Sequence, residues 1–252
     1  MSYALRTRFG RDIVAEFLVP ARKTARERVI ILCDGMPTLP SKGSLLEFFA
    51  RKGYWVFHPR YRGTWESGGS FLARPCDEDI RIVMDGLVRG FREAWNGKKF
   101  RLRNPEITLV ASSFGGATAL LASRDSRVRR VIAFSPVVDW TSESKAEPMS
   151  FLKRFTAEGF GQAYRGHPGI WAKLKSGKYF NPVREAARID GRKLLLFHAR
   201  DDDSVLWRPV RQFSERTGAT LVLSKRGGHM GLSMAARPGH WKRIAKFLRM
   251  KA

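Results

Sequence analysis

The sequence predicts an α/β protein: a mostly parallel central sheet of about eight strands, with helices on both faces and an insertion after the strand ending near Phe134. Three observations predict it. Short apolar runs are spaced along the chain, and most are continuous rather than alternating, the pattern of strands buried on both faces. Segments of helical period lie between those runs. Hydrophobic residues make up 43% of the 252 positions, too many for disorder over most of the chain. An α/β sheet of this size is expected to occupy the chain as a single domain, 1–252.

The first element differs from the rest. Residues 5–9 and 12–19 are separated by Gly10-Arg11 and read as a hairpin at the sheet edge. RVIILC (28–33) and YWVFH (54–58) follow as strands. Over 79–95, Ile80, Val83, Leu87, Phe91 and Trp95 step by three or four and predict one helix. EITLVA (106–111) is a strand and residues 117–122 are a small-residue helix. VRRVIAF (128–134), KLLLFHA (193–199) and ATLVLS (219–224) complete the sheet, and Trp241, Ile244 and Leu248 mark a last helix over 240–249. Residues 139–181 carry no strand pattern but many aromatics, among them Trp140 and Phe155. They are expected to form a helical lid or a helical excursion on the sheet edge. Pro148 would start a helix with Met149, Leu152 and Phe155 on one face.

Composition narrows the function classes. No stretch approaches the ~18 apolar residues of a membrane span, and the first residues lack the apolar core of a secretory signal. Cys33 and Cys76 make no disulfide framework, so a reducing cytoplasm is expected. No His or Cys pair has metal-ligand spacing, and neither a metal nor a cofactor is expected. Lys and Arg number 47 against 23 Asp and Glu, a formal net charge of +24. That charge invites a nucleic-acid or anionic-membrane binder as a competing class. Against it, no block of five basic residues occurs, and the densest cluster, 98–103, lies in an expected loop without interleaved aromatic platforms. No specific nucleic-acid partner is expected.

The chemistry concentrates at a strand, tight turn and helix: EITLVA, then Ser112-Ser113-Phe114-Gly115-Gly116. A serine at the tip of such a turn exposes its hydroxyl above the carboxyl edge of the sheet, and the residues two before and two after must be small. Ala111 and Gly115 select Ser113; Ser112 would put Phe114 in the crowded place. Serine needs a base, and the base an orienting carboxylate. Asp201, Asp202 and Asp203 follow the next-to-last strand, and Gly227-Gly228-His229 follows the last. Both loops lie at the same sheet edge as Ser113, which makes His229 the general base. His198 ends a strand and reads as structural; His58, His167 and His240 have no companion motif.

At this point the chain resembles an α/β-hydrolase, from about residue 12 to 248. His198-x-x-x-Asp202-x-x-Val205 is similar to the family's H-G-x-x-D-x-x-V segment, whose aspartate is the triad acid, and this implies Asp202. Asp139 stands where some hydrolases keep a relocated acid and is the second choice. Cys33-Asp34-Gly35-Met36-Pro37 resembles the family's H-G-x-P loop, with Asp34 in the usual place of His. The resemblance implies an oxyanion hole from the Met36 and Phe114 N–H groups, worth roughly 3 kcal/mol each. Tyr61-Arg62-Gly63-x-x-x-Ser67-Gly68 and Ser135-Pro136-Val137-Val138-Asp139-Trp140 are similar to the acylaminoacyl-peptidase and prolyl-oligopeptidase branch and its related esterases. Arg62 is expected to pin its loop through charge-assisted hydrogen bonds, with binding of a substrate carboxylate as the alternative.

Peptidases of that branch carry an N-terminal propeller. The sheet here is expected to begin almost at residue 1, so no propeller is expected. A serine hydrolase of small acyl or aryl esters is therefore the first expectation, with Trp140 and Phe155 lining an apolar substrate pocket. An aminopeptidase or acylaminoacyl-type amide hydrolase is the alternative in the same chemistry.

Overall fold

The computed structural model describes residues 3–22 and 25–250. β1 (Leu5–Phe9) and β2 (Ile13–Leu18) form the expected antiparallel hairpin, with Phe9 opposite Ile13. β3 (Arg28–Cys33) and β4 (Trp55–Pro59) come next, with β4 antiparallel to β2 and parallel to β3. β5 (Phe91–Arg92) and β6 (Lys99–Phe100) make a separate two-stranded sheet. β7 (Glu106–Ser112), β8 (Val128–Phe134), β9 (Leu194–Ala199) and β10 (Thr220–Ser224) complete the main sheet. Its eight strands run in the order β1-β2-β4-β3-β7-β8-β9-β10, parallel from β4 to β10.

The continuous apolar runs have a direct cause. Successive strand residues face opposite sides, and helices cover both. On one side, α2 (Cys76–Arg89), α3 (Phe114–Ala122) and α6 (Trp207–Thr217) bring Ile80, Leu120 and Phe213 onto Ile31, Leu109 and Val131. On the other, α1 (Gly43–Arg51) and α7 (Pro238–Arg249) bring Phe49, Ile244 and Phe247 onto Ile30, Val110 and Ile132. Each such side chain, fully buried, contributes roughly 1.5–3 kcal/mol. None of the described helices is long and apolar enough to cross a membrane.

One expected element is corrected. The helix predicted over 79–95 stops at Arg89, because Gly90 takes φ 106° and turns the chain out of the helix. Phe91 lies on β5 instead and packs its ring on Phe9, Phe17 and Phe57. Trp95 is 67% exposed. The apolar period continued past the helix because a short strand used the next apolar residue for the same core. The basic segment 98–103, expected as loop, contributes β6.

Within 139–181 the chain forms α4 (Met149–Phe160), directly after Pro148, and α5 (Ile170–Lys175). The segment after α4 is tied down by main-chain bonds. Trp65 N–H donates to Ala163 O (2.9 Å), Arg165 N–H to Gly63 O (2.8 Å) and Phe71 N–H to Arg165 O (2.8 Å). These bonds hold α4 over the carboxyl edge of the sheet, where its Phe151, Leu152 and Phe155 line a cavity beside Ser113.

Candidate active site

The site begins with a strained turn. β7 ends at Ser112, α3 starts at Phe114, and Ser113 between them takes φ 52°, ψ −124°, a conformation costly for a residue with a side chain. The surroundings enforce it. A Cβ on Gly115 would lie 2.0 Å from the Cys33 carbonyl oxygen, so only glycine lets α3 start against the end of β3. Ser113 N–H donates to Phe134 O (3.0 Å), and Ser113 O accepts from Val137 N–H (3.0 Å). The turn is thereby fastened to the end of β8 and to the loop that follows it.

Asp202 follows β9 and is 3% exposed. Its Oδ1 accepts the N–H groups of Ser204 (3.1 Å) and Val205 (2.9 Å). His229, in the loop after β10, places Nδ1 3.0 Å from Asp202 Oδ2 and 3.1 Å from Oδ1. Burial alone would raise the Asp202 carboxyl, but the hydrogen bond and charge of His229 outweigh it and hold the group below its ordinary value. Burial likewise opposes charge on His229. The bond and charge of Asp202 prevail, with Glu147 and Asp203 adding, and raise the imidazole above its ordinary 6.5. A carboxylate acceptor requires Nδ1 to carry a proton, which leaves Nε2 as the basic nitrogen.

Ser113 and His229 line one cavity of about 490 Å³, together with Met36, Glu147 and the α4 residues. A smaller cavity of about 60 Å³ adjoins it and shares Met36, Ser113, Glu147 and Leu152. Phe114 and Trp140 line that second space. Trp140 is 5% exposed and donates Nε1–H to Phe180 O (2.8 Å). Phe155 is 45% exposed, stacked on Phe151 at the rim of the first cavity. Asp139 also lines the smaller cavity, yet its carboxylate is taken by Thr141 and Asn181.

Gly35 lies against the serine, since a Cβ on it would be 3.4 Å from Ser113 Cβ. Phe114 is the first residue of α3, and the first N–H groups of a helix have no intrahelical acceptor. Asp34, in the place of the resemblance's His, accepts its own neighbour's Gly35 N–H at Oδ1 (2.9 Å). Its Oδ2 meets Lys42 Nζ (2.7 Å) and His58 Nε2 (3.3 Å). Arg60 donates to His58 Nδ1 (2.8 Å), so the proton of this buried imidazole is on Nε2, facing Asp34. This Arg60–His58–Asp34–Lys42 chain stiffens the turn before Met36.

Arg62 is the one expected substrate contact that the fold carries elsewhere. Its N–H and guanidinium hold Asp79 (2.9 and 3.2 Å) beneath the loop, and it lines neither cavity beside Ser113. Burial pushes the Asp79 carboxyl up to about 6 despite the Arg62 N–H and guanidinium. The guanidinium thus pins the loop on Asp79. His198 is fully buried under the acid loop with Nε2–H on Val205 O (2.9 Å). His167 caps Gly169 N–H, and His240 packs on Phe134 and Phe197.

Two further residues hold the loop that carries His229. Asp201 accepts the N–H groups of Gly227 (3.2 Å) and Gly228 (2.9 Å), fixing the loop that carries His229. Ser135 Oγ accepts the Met230 N–H (3.0 Å) on that loop's other side.

A model of the prolyl oligopeptidase family matches residues 41–251. An esterase of Pyrococcus furiosus superposes with TM-score 0.68 at 16% identity, over 98% of this chain and 90% of its own. An acylaminoacyl peptidase of Pyrococcus horikoshii superposes with TM-score 0.67 at 17% identity, over 99% of this chain but 42% of its own. For a dipeptidyl peptidase 4 of Porphyromonas gingivalis the values are 0.61, 18%, 98% and 35%. The chain thus spans less than half the length of these two peptidases. A search of curated proteins finds no match. The eight-stranded sheet is that of an α/β-hydrolase, and the chain belongs to the prolyl oligopeptidase family of serine hydrolases.

Proposed function

We propose that the protein cleaves carboxylic esters of small acyl or aryl substrates through an acyl-enzyme on Ser113. The observation that carries this reading is the strained Ser113 turn opening into the same cavity as His229, whose Nδ1 is held by buried Asp202. In the first step His229 Nε2 takes the Ser113 proton as Oγ attacks the ester carbonyl. Asp202 keeps Nδ1 protonated and stabilises the imidazolium that forms. The Met36 and Phe114 N–H groups receive the negative oxygen of the tetrahedral intermediate. His229 then returns the proton to the departing alcohol. Water, activated by the same nitrogen, hydrolyses the acyl-enzyme and restores Ser113. Phe155 and Trp140 flank the acyl or aryl group. The esterase neighbour, whose length the chain nearly covers, supports the ester reading.

A specific feature favours a second reading, an aminoacyl-type amide hydrolase. Among the described residues, the smaller cavity beside Ser113 is lined by Asp139, Glu143 and Glu147 and by no cation, with Lys175 pairing Glu143 from outside it (3.0 Å), in a chain of net charge +24. Such a lining suits a substrate ammonium near the scissile bond. A panel of nitrophenyl esters of increasing acyl length, run beside free-amino and N-acylated aminoacyl anilides, tests both. Turnover of neutral esters with negligible anilide cleavage supports the first reading. Turnover confined to free-amino substrates overturns it in favour of the second.

The pH profile is a further expected outcome. Protonated His229 cannot accept the Ser113 proton, and its pKa is raised above 6.5 by Asp202 against burial. The protonated form therefore persists to higher pH. Activity, read as kcat/KM, is expected to fall as pH drops, with the midpoint of the acid limb above 6.5. A midpoint well below that value would remove His229 as the base.

A further inference from the structure

A second cavity lies at the edge of the sheet opposite Ser113. It measures about 760 Å³ and opens at the amino-terminal ends of the parallel strands, within the size range of ligand pockets, roughly 300–1,000 Å³. Arg28 starts β3, Glu106 starts β7, Arg129 and Arg130 start β8, and Arg249 ends α7; all line it, with Lys52 and Trp241. Glu106 is the one carboxylate of the described lining, and it is taken by Arg129 (2.7 Å) and Arg26 (3.1 Å). Among the described residues, no carboxylate lies within ion-pair distance of Arg28, Lys52, Arg130 or Arg249.

Arg130 is the telling residue. It is 1% exposed, and among the described residues its guanidinium reaches only main-chain carbonyls, Met250 O at 2.8 Å and Arg129 O at 3.4 Å, and the face of Phe247. Its Nε–H is buried without an acceptor. A buried charged donor left unpaired is costly, and burial together with the Arg129 charge lowers its pKa. An anion in the cavity would offset the crowded positive charge of the cations that line it. Several cations around one space call for several linked negative groups, not one. Arg28 and Lys52 already lie over the Tyr54 and Trp241 rings, so the site also offers an aromatic wall.

We propose that this cavity is a second ligand site that binds a small polyphosphate anion, either inorganic or the phosphate chain of a nucleotide, between Arg28, Lys52, Arg130 and Arg249. It is independent of the reaction at Ser113.

The test is calorimetric titration of the full chain at about 0.15 M ionic strength, with sodium tripolyphosphate, ATP, sulfate and a short DNA oligonucleotide. Lys52→Glu and Arg249→Glu change exposed residues remote from Ser113, so both variants are expected to keep the wild-type Tm and ester turnover. Tripolyphosphate binding tighter than sulfate, weakened about 10-fold or more in each variant, supports the proposal. ATP binding tighter than tripolyphosphate assigns the nucleotide as the source, through its base on Trp241; equal or weaker binding assigns the inorganic chain. Absence of tripolyphosphate binding below about 1 mM, or binding unchanged in both variants, overturns it. So does DNA that competes equally per phosphate, which would make the cations a general electrostatic surface.

Discussion

Replacing Ser113 by alanine is expected to lower kcat on a nitrophenyl ester by on the order of 10⁴-fold or more, with loss of covalent labelling by a fluorophosphonate. The size of the effect follows from the removal of the attacking atom. The oxyanion donors remain, so a residue of catalysis above the water rate should survive. The fold should survive as well. Ser113 makes its structural bonds through its main chain, to Phe134 and Val137, and alanine keeps both. The strained φ of 52° is also no worse for alanine than for serine. The measurement is burst kinetics beside a melting curve. A folded Ser113→Ala protein with near wild-type turnover would sink the acyl-enzyme reading outright.

Asp202→Asn is expected to lower kcat by about 10⁴-fold as well, through a wrong tautomer rather than a lost atom. The Asp202 Oδ1 accepts two main-chain N–H groups, from Ser204 and Val205. In asparagine the remaining oxygen must stay on those donors, and the amide NH₂ then faces His229 Nδ1. An NH₂ group cannot accept a proton, so Nδ1 becomes the acceptor and Nε2 carries the hydrogen. That imidazole is unable to take the Ser113 proton. The charge that raises His229 is lost too, and the residual acid limb is expected to move to lower pH. Asp139→Asn is the control: its carboxylate is bound by Thr141 and Asn181, not by His229, and kcat should stay within about tenfold of wild type. If Asp139→Asn were the damaging change and Asp202→Asn mild, the acid would be misassigned.

The legible parts of this protein were those governed by neighbours in the chain. The strands could be read because burial on both faces demands unbroken apolar runs, as in RVIILC and KLLLFHA. Ser113 could be separated from Ser112 because the turn tolerates only small residues two away, and Gly115 shows why: a side chain there would strike the Cys33 carbonyl. The helix that ran too long in the sequence, to Trp95, erred where a three-four spacing of apolar residues passed from α2 into β5. Periodicity reports which residues face a core, not which kind of backbone carries them there. Asp201 carried no motif of its own in the sequence, yet it secures the His229 loop while Asp202 meets the imidazole.

By itself the sequence determined the α/β architecture, the positions of its main strands along the chain, and the strand-turn-helix at Ser113, since each follows from stereochemistry and burial within a short stretch of chain. The tertiary structure alone decided that Arg62 is spent on Asp79, that His58 and Asp34 brace the turn before Met36, and that Asp139 serves Thr141 and Asn181. It also gathered Arg28, Lys52, Arg130 and Arg249 around one cavity. The physical reason is the same in each case. A charged side chain takes the partner that folding brings within about 4 Å, and that distance joins residues scattered over the whole chain.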